Sequence, residues 1–166
     1  MAKKSPAAPT TAATAALVRA GIPFTPHSYV HDASVTDFGA EAARELGIEA
    51  ARVFKTLMAT TDSGSQYCIG IVPVDAMLDV KALAAALGGK RAELADPKVA
   101  ERKSGYVVGG ISPIGQKTAL PTVLDASAEA FATILVSGGR RGFDIEIAPA
   151  DLLAVTKGTL AAIRRG

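Results

Sequence analysis

A single cysteine, Cys68, excludes an intrachain disulfide and any zinc site built on paired cysteines. Tryptophan is absent and aromatic residues make up only 5% of the 166 residues, so the core must be assembled from aliphatic and small side chains. Net charge is nearly absent too. Eighteen Lys and Arg against sixteen Asp and Glu leave +2, which cannot identify a nucleic-acid binder on overall charge and requires any basic surface to be local. No apolar run approaches the ~20 residues needed to cross a bilayer. The opening segment, where Pro6 and Pro9 interrupt the alanines, lacks the apolar stretch of a secretion signal. These absences predict no membrane partner, a reducing and cytoplasmic setting, and residues 1–9 as a disordered lead-in. Also missing are a GxxxxGK[ST] loop, an HExxH pair, a GxSxG elbow and any detectable internal repeat, which removes the commonest phosphate-binding, zinc-hydrolase and serine-hydrolase readings.

What is present describes a folded chain. Hydrophobic residues reach 49% and charged residues 20%, with mean hydropathy +0.27, and the length suits one domain, expected over residues 10–160 with a basic tail at 161–166. Helix signals recur. Thr10 or Thr11 caps a first helix ending at Gly21, an Ala-rich helix runs over 37–46 to Gly47, Asp79 caps another through Leu87, and Asp96-Pro97 opens a fourth. A closing helix begins near Pro149. Residues 24–30 read as extended, and the β-rich runs 53–61 and 66–72, separated by Asp62-Ser63-Gly64-Ser65, read as a hairpin. Further strands are predicted at 106–108, 122–124, 133–136 and 143–147, the last alternating Phe143, Ile145, Ile147 against Asp144 and Glu146. Strand pairs without regular βαβ alternation predict an α+β domain with a mixed sheet.

Several residues break these patterns. Period two places Lys55 on one face with Val53 and Leu57, where a charge is costly unless that face borders a cleft or the amine has a partner; the plainer reading is a lysine at an edge or snorkelling to water. Gly109-Gly110 lets a ligand or another backbone approach closely, or marks a bulge. Ser137-Gly138-Gly139-Arg140-Arg141-Gly142 offers either a nest for an anion or an ordinary turn with solvated arginines. His27 and His31 would share a face on a helix, but Pro23 and Pro26 favour an extended chain in which they stand roughly 13 Å apart, so no metal site is expected. Cys68 lies in an apolar run without a neighbouring base and reads as core.

Taken in order, Tyr29-Val30-His31-Asp32, Phe38-Gly39, Val53-Phe54-Lys55-Thr56-Leu57, Ala95-Asp96-Pro97, Ser104-Gly105-Tyr106, the run from Val108 to Gln116, Leu120-Pro121 and Val136-Ser137-Gly138-Gly139 closely resemble the YbaK/EbsC family, and within it the Cys-tRNA(Pro) deacylases. The resemblance begins near Thr10 and reaches the last helix. It implies a mixed, partly barrel-like sheet flanked by helices, and editing in trans of cysteine mischarged onto tRNA(Pro), in partnership with prolyl-tRNA synthetase and without a cofactor. In similar proteins the substrate's own thiol attacks its ester, so no protein nucleophile is required. The resemblance carries catalytic roles onto Lys55, Gly109, Ser137 and Asp144 and pocket walls onto Tyr29 and Phe38. Gly110, Ser112, Gly138 and Arg140 are the further candidates for substrate binding, and Lys98, Arg102, Lys103, Lys117, Arg140 and Arg141 for phosphate contact. Two other functions stay open: a deacylase for alanine or serine on tRNA, and a non-catalytic module that binds aminoacyl-tRNA or the synthetase.

Overall fold

The computed structural model describes residues 9–62 and 66–166; residues 1–8 of the expected lead-in, and 63–65 of the expected hairpin loop, lie outside that description. In chain order the elements are α1 (Ala12–Ala20), β1 (Thr25–Ser28), α2 (Phe38–Leu46), β2 (Phe54–Thr61), β3 (Gln66–Pro73), β4 (Met77–Leu78), α3 (Val80–Ala86), β5 (Ala92–Leu94), α4 (Pro97–Ser104), β6 (Thr122–Asp125), β7 (Ile134–Arg140), β8 (Phe143–Ile147), α5 (Pro149–Thr156), β9 (Thr159–Ala161) and β10 (Arg164–Arg165). The capping residues explain most of the helix starts. Thr11, Asp37, Asp79 and Asp96 each accept a backbone N–H from the first turn of the helix that follows.

Five strands form one sheet in the order β5-β2-β3-β6-β9, antiparallel across β5-β2-β3 and parallel across β3-β6-β9. A second sheet, β1-β8-β7, is antiparallel, and a bridge from Val53 to Leu135 joins it to the start of β2. The two sheets therefore meet along a seam, the mixed and partly barrel-like arrangement the family resemblance implies. Between them lies the main core, where Ile69, Ile71, Leu124, Ile134, Val136, Phe143, Ile145 and Ile147 meet Leu17 of α1 and Leu152 of α5. The other face of β3 is buried as well, with Cys68 and Val72 packed against Leu78, Leu83 and Ile163. Cys68 is thus core, as expected, and burial raises its thiol pKa.

Two expectations are corrected. Tyr106, Val107 and Val108 form no strand, because their hydrogen bonds are taken elsewhere: Ser104 Oγ accepts the Tyr106 N–H at 3.1 Å, Glu101 Oε2 accepts that of Val108 at 2.8 Å, and the Tyr106 hydroxyl donates to Ile114 O at 2.6 Å. Nor do residues 161–166, expected as a basic tail, stand apart from the domain. The carboxylate of Asp125 accepts the N–H groups of Ile163 and Arg164 at 2.9 and 3.0 Å, Ile163 is fully buried, and Arg164–Arg165 pair with Met77–Leu78. Counting basic residues could not reveal that fastening, since its acceptor lies 38 positions upstream of Ile163.

Candidate active site

Alternation along β8 turns Phe143, Ile145 and Ile147 into the core and Asp144 and Glu146 to the opposite face. The two acids meet different fates there. Glu146 accepts from Thr133, His27 and Arg52, at 2.6, 2.8 and 2.7 Å, and these bonds hold its carboxyl below the usual range. Asp144 stands opposite Ser137 on β7, is only 6% exposed, and has no ion-pair partner among the described residues. Burial pushes its pKa up to about 7.

Over that face lies a cavity of about 350 Å³. Tyr29, Phe38, Lys55, Gly109, Ser137 and Asp144, six of the residues expected to form the site, all line it. Each arrives by its own route. The Asp37 cap puts Phe38 in the first turn of α2, and the Phe38 ring lies against Gly109, whose φ of +89° suits glycine and where a Cβ would come within 2.7 Å of the ring carbons. Tyr29 is tied to the β7–β8 turn by its N–H, which donates to Gly142 O at 2.9 Å. Its phenol pKa is pushed to about 12, first by burial and then by the charges of Asp144 and Glu41, so it keeps its proton. Lys55 faces the cavity from β2, half-buried, and no described residue forms an ion pair with its ammonium. The cleft reading of this lysine prevails over the edge reading.

The remaining expected residues are not brought into the cavity wall. Ser112 is fully buried and its Oγ accepts the N–H of Ile114 at 3.2 Å. Gly138 lies against the Phe143 ring on the core side, and Gly110 packs on the backbone of Arg140, so close that a Cβ would sit 2.7 Å from its Cα. Gly110 and Gly138 therefore serve contacts within the chain. His27 and His31 also take internal partners, Glu146 and Glu41, and among the described residues no three His, Cys, Asp or Glu side chains gather as a metal site.

Sequence reasoning missed the second layer. Glu41, 1% exposed inside α2, accepts from the Asp32 N–H at 2.8 Å and faces His31 Nδ1 at 2.6 Å, tethering the segment between Tyr29 and Phe38. Burial works to raise the Glu41 pKa, but these bonds outweigh it and hold the carboxyl below its usual range. The only signal was an acid on the apolar side of an Ala-rich helix. Thr56, Leu94, Ala95, Pro97 and Ala100 also line the cavity. Chemically, the site combines the Lys55 ammonium, the Asp144 carboxyl titrating near neutrality, a second carboxyl in the capping Asp37, the hydroxyls of Ser137 and Thr56 and one protonated phenol, with no histidine or cysteine among the described residues of its wall to activate a nucleophile.

The buried carboxyl has a measurable consequence. Because the folded-state pKa of Asp144 lies above its ordinary 3.8, the folded chain holds a proton that the unfolded chain has released. That contribution is complete below about pH 4 and is lost as pH rises through about 7. Asp144→Asn should therefore gain stability relative to wild type across this window, by on the order of 4 kcal/mol in all. Denaturant unfolding of both proteins at pH 4, 6 and 8 checks it; a difference that does not change with pH contradicts the raised pKa.

Comparison with known proteins adds a consistent set of matches. The model of the aminoacyl-tRNA editing domain matches residues 33–155. Over 121 residues, 73% of each chain, the sequence is 42% identical to EbsC of Enterococcus faecalis, described by inference as a Cys-tRNA(Pro)/Cys-tRNA(Cys) deacylase. It is 30% identical, over 61% of each chain, to the multifunctional Ser/Thr-tRNA deacylase ProXp-y of Escherichia coli. A solved structure described, again by inference, as a trans-editing enzyme for prolyl-tRNA synthetase superposes with a TM-score of 0.78 at 25% identity, covering 96% of this chain and all of that one.

Proposed function

Because the chain belongs to the aminoacyl-tRNA editing domain family, we propose that it is a trans-editing deacylase that frees tRNA(Pro) from mischarged cysteine in the cytoplasm, alongside prolyl-tRNA synthetase. The observation that carries this reading is the cavity itself: a cation, carboxyls and hydroxyls line it, and among the described residues no hydrogen bond joins one of those hydroxyls to one of those carboxyls as a nucleophile and base pair. Such a site can orient and stabilise, and an intramolecular reaction needs little else. The cysteine sulfur attacks its own ester carbonyl, the bond from that carbon to the ribose oxygen breaks, and the proton given up by the thiol ends on the ribose hydroxyl. The products are a cyclic thiolactone, which water later opens, and free tRNA. Fixing thiol and carbonyl in near-attack geometry can supply roughly 7–11 kcal/mol of the barrier.

Within this reading Lys55 is the electrostatic anchor for the substrate's polar groups rather than a base. Ser137 and the carboxyl of Asp144 orient the α-amino group or thiol, the Gly109 backbone holds the aminoacyl end, and Tyr29 and Phe38 wall the pocket, with the terminal adenine stacking on an aromatic face. A scaffold that only bound tRNA through phosphate contacts would have no use for a buried carboxyl titrating near neutrality in the same cavity as a half-buried ammonium.

The decisive assay is release of amino acid from charged tRNA by the purified protein. Cys-tRNA(Pro) should be cleared about 10³-fold or more faster than Ala-tRNA(Pro), which lacks the attacking sulfur. Equal rates would move the assignment to a broader deacylase, and no release from either would leave the binding-module reading.

A further inference from the structure

Beside the cavity, rather than in it, stands Arg141, one of six basic residues that the sequence offers for phosphate contact without choosing among them. The turn between β7 and β8 is held on two sides: Gly142 O accepts the Tyr29 N–H at 2.9 Å, and Gly110 presses on the Arg140 backbone. From this turn Arg141 reaches back over the cavity rim. Its Nε–H donates to Val108 O at 2.9 Å, and its Cζ lies 5.0 Å from the centroid of the Phe38 ring. Phe38 and Val108 both line the cavity. The carbonyl and the ring together fix the plane of the guanidinium, while the side chain stays exposed and no described carboxylate forms an ion pair with it.

We propose that Arg141 is a phosphate-binding residue, whose two terminal amino groups receive the phosphodiester on the 5′ side of the nucleoside esterified in the cavity. The proposal rests on the deacylase reading for the identity of that nucleoside. A guanidinium presents parallel N–H donors that match two phosphate oxygens, and a fork already immobilised by a carbonyl and an aromatic face gives up little further freedom on binding. Its charge is not spent on a carboxylate. Arg140, which the sequence offers for phosphate contact alongside Arg141 and also for substrate binding, has no such arrangement: its backbone carries the Gly110 contact, and no described group fixes its side chain toward the cavity. In a protein of net charge +2, one fixed contact beside the reacting ester sets the register of the whole 3′ end, which diffuse charge cannot do.

Two uncleavable analogues test this: the cysteinyl amide of 3′-amino-3′-deoxyadenosine, and the same compound bearing a 5′-phosphate. Each is titrated calorimetrically into the full-length wild-type protein, Arg141→Gln and Arg141→Lys. The phosphate should tighten wild-type binding about tenfold or more, and this gain should shrink to about twofold or less in Arg141→Gln. Arg141→Lys should keep part of it, as a charge without the fork. A displaced Phe38 wall would weaken both analogues alike, so the ratio between them reports the phosphate contact alone. An equal gain in wild type and Arg141→Gln overturns the proposal, as does a wild-type protein that binds neither analogue or does not distinguish them. Because the amides cannot be cleaved, this outcome is separate from deacylation. A phosphate gain through Arg141 with no release from charged tRNA would end the deacylase reading alone, and release with no such gain would end the Arg141 assignment alone.

Discussion

Lys55→Ala is expected to reduce deacylation by about 10²–10³-fold or more in kcat/KM, the scale of losing a charge-stabilising donor from a water-poor site, while the fold survives. The second half follows from what the side chain does not do. No described residue pairs with its ammonium, so removal strands no buried carboxylate, and the strand it belongs to is held through the backbone by β3 and β5. A stability change within about 0.5 kcal/mol is the expectation for a side chain without such partners. Circular dichroism and a melting curve measure that half, and single-turnover release from Cys-tRNA(Pro) the other. Lys55→Arg serves as a second probe: the charge is kept but the compact ammonium is replaced by a wide planar fork, and partial activity would locate the requirement in charge rather than in shape. Full activity in Lys55→Ala would remove the residue from the site and return it to the bland reading of a strand lysine that reaches water.

The helices were legible because their caps are local. Asp37, Asp79 and Asp96 each answer to a backbone N–H within three residues, an interaction written in the sequence itself. The alternation at Phe143, Ile145 and Ile147 was equally readable and put Asp144 on the face away from the core. Its depth was not, because burial sets its pKa and the strand that covers it, β1, which places His27 opposite Asp144, lies more than a hundred positions earlier in the chain. Residues 106–108 failed as a strand for a related reason: they are apolar enough for one, but side chains of α4 had already claimed their N–H groups. Arg140 and Arg141 are indistinguishable by composition, and only the direction of the turn, set by Gly110 and Tyr29, decides which guanidinium reaches the rim. The family resemblance supplied six cavity residues together, which no single pattern among them could have done.

If the cavity provides position and charge but no nucleophile, the chemistry must depend on the substrate's sulfur. Near neutral pH a cysteine thiol has a small but useful thiolate fraction, whereas a serine hydroxyl is almost wholly protonated and would close a more strained ring. Serine on the same tRNA, and cysteine whose thiol carries a small alkyl group, should therefore bind with affinity close to that of the cysteinyl substrate and yet persist. Release should fall by about 10³-fold or more, since the near-attack advantage of roughly 7–11 kcal/mol disappears with the attacking atom. The product discriminates further: a thiolactone should be trappable by an added amine before water opens it. Serine ester hydrolysis at the cysteine rate, with no cyclic product, would mean that the protein activates water, and Asp144 would become the candidate base because its pKa of about 7 suits that role. The Escherichia coli relative named as a Ser/Thr-tRNA deacylase makes that outcome a concrete alternative. The pH profile then separates the two routes. A water-activating Asp144 gives a rate that rises through about pH 7 and is lost in Asp144→Asn, whereas thiol attack goes on rising above that point with the thiolate fraction, in the variant as in the wild type.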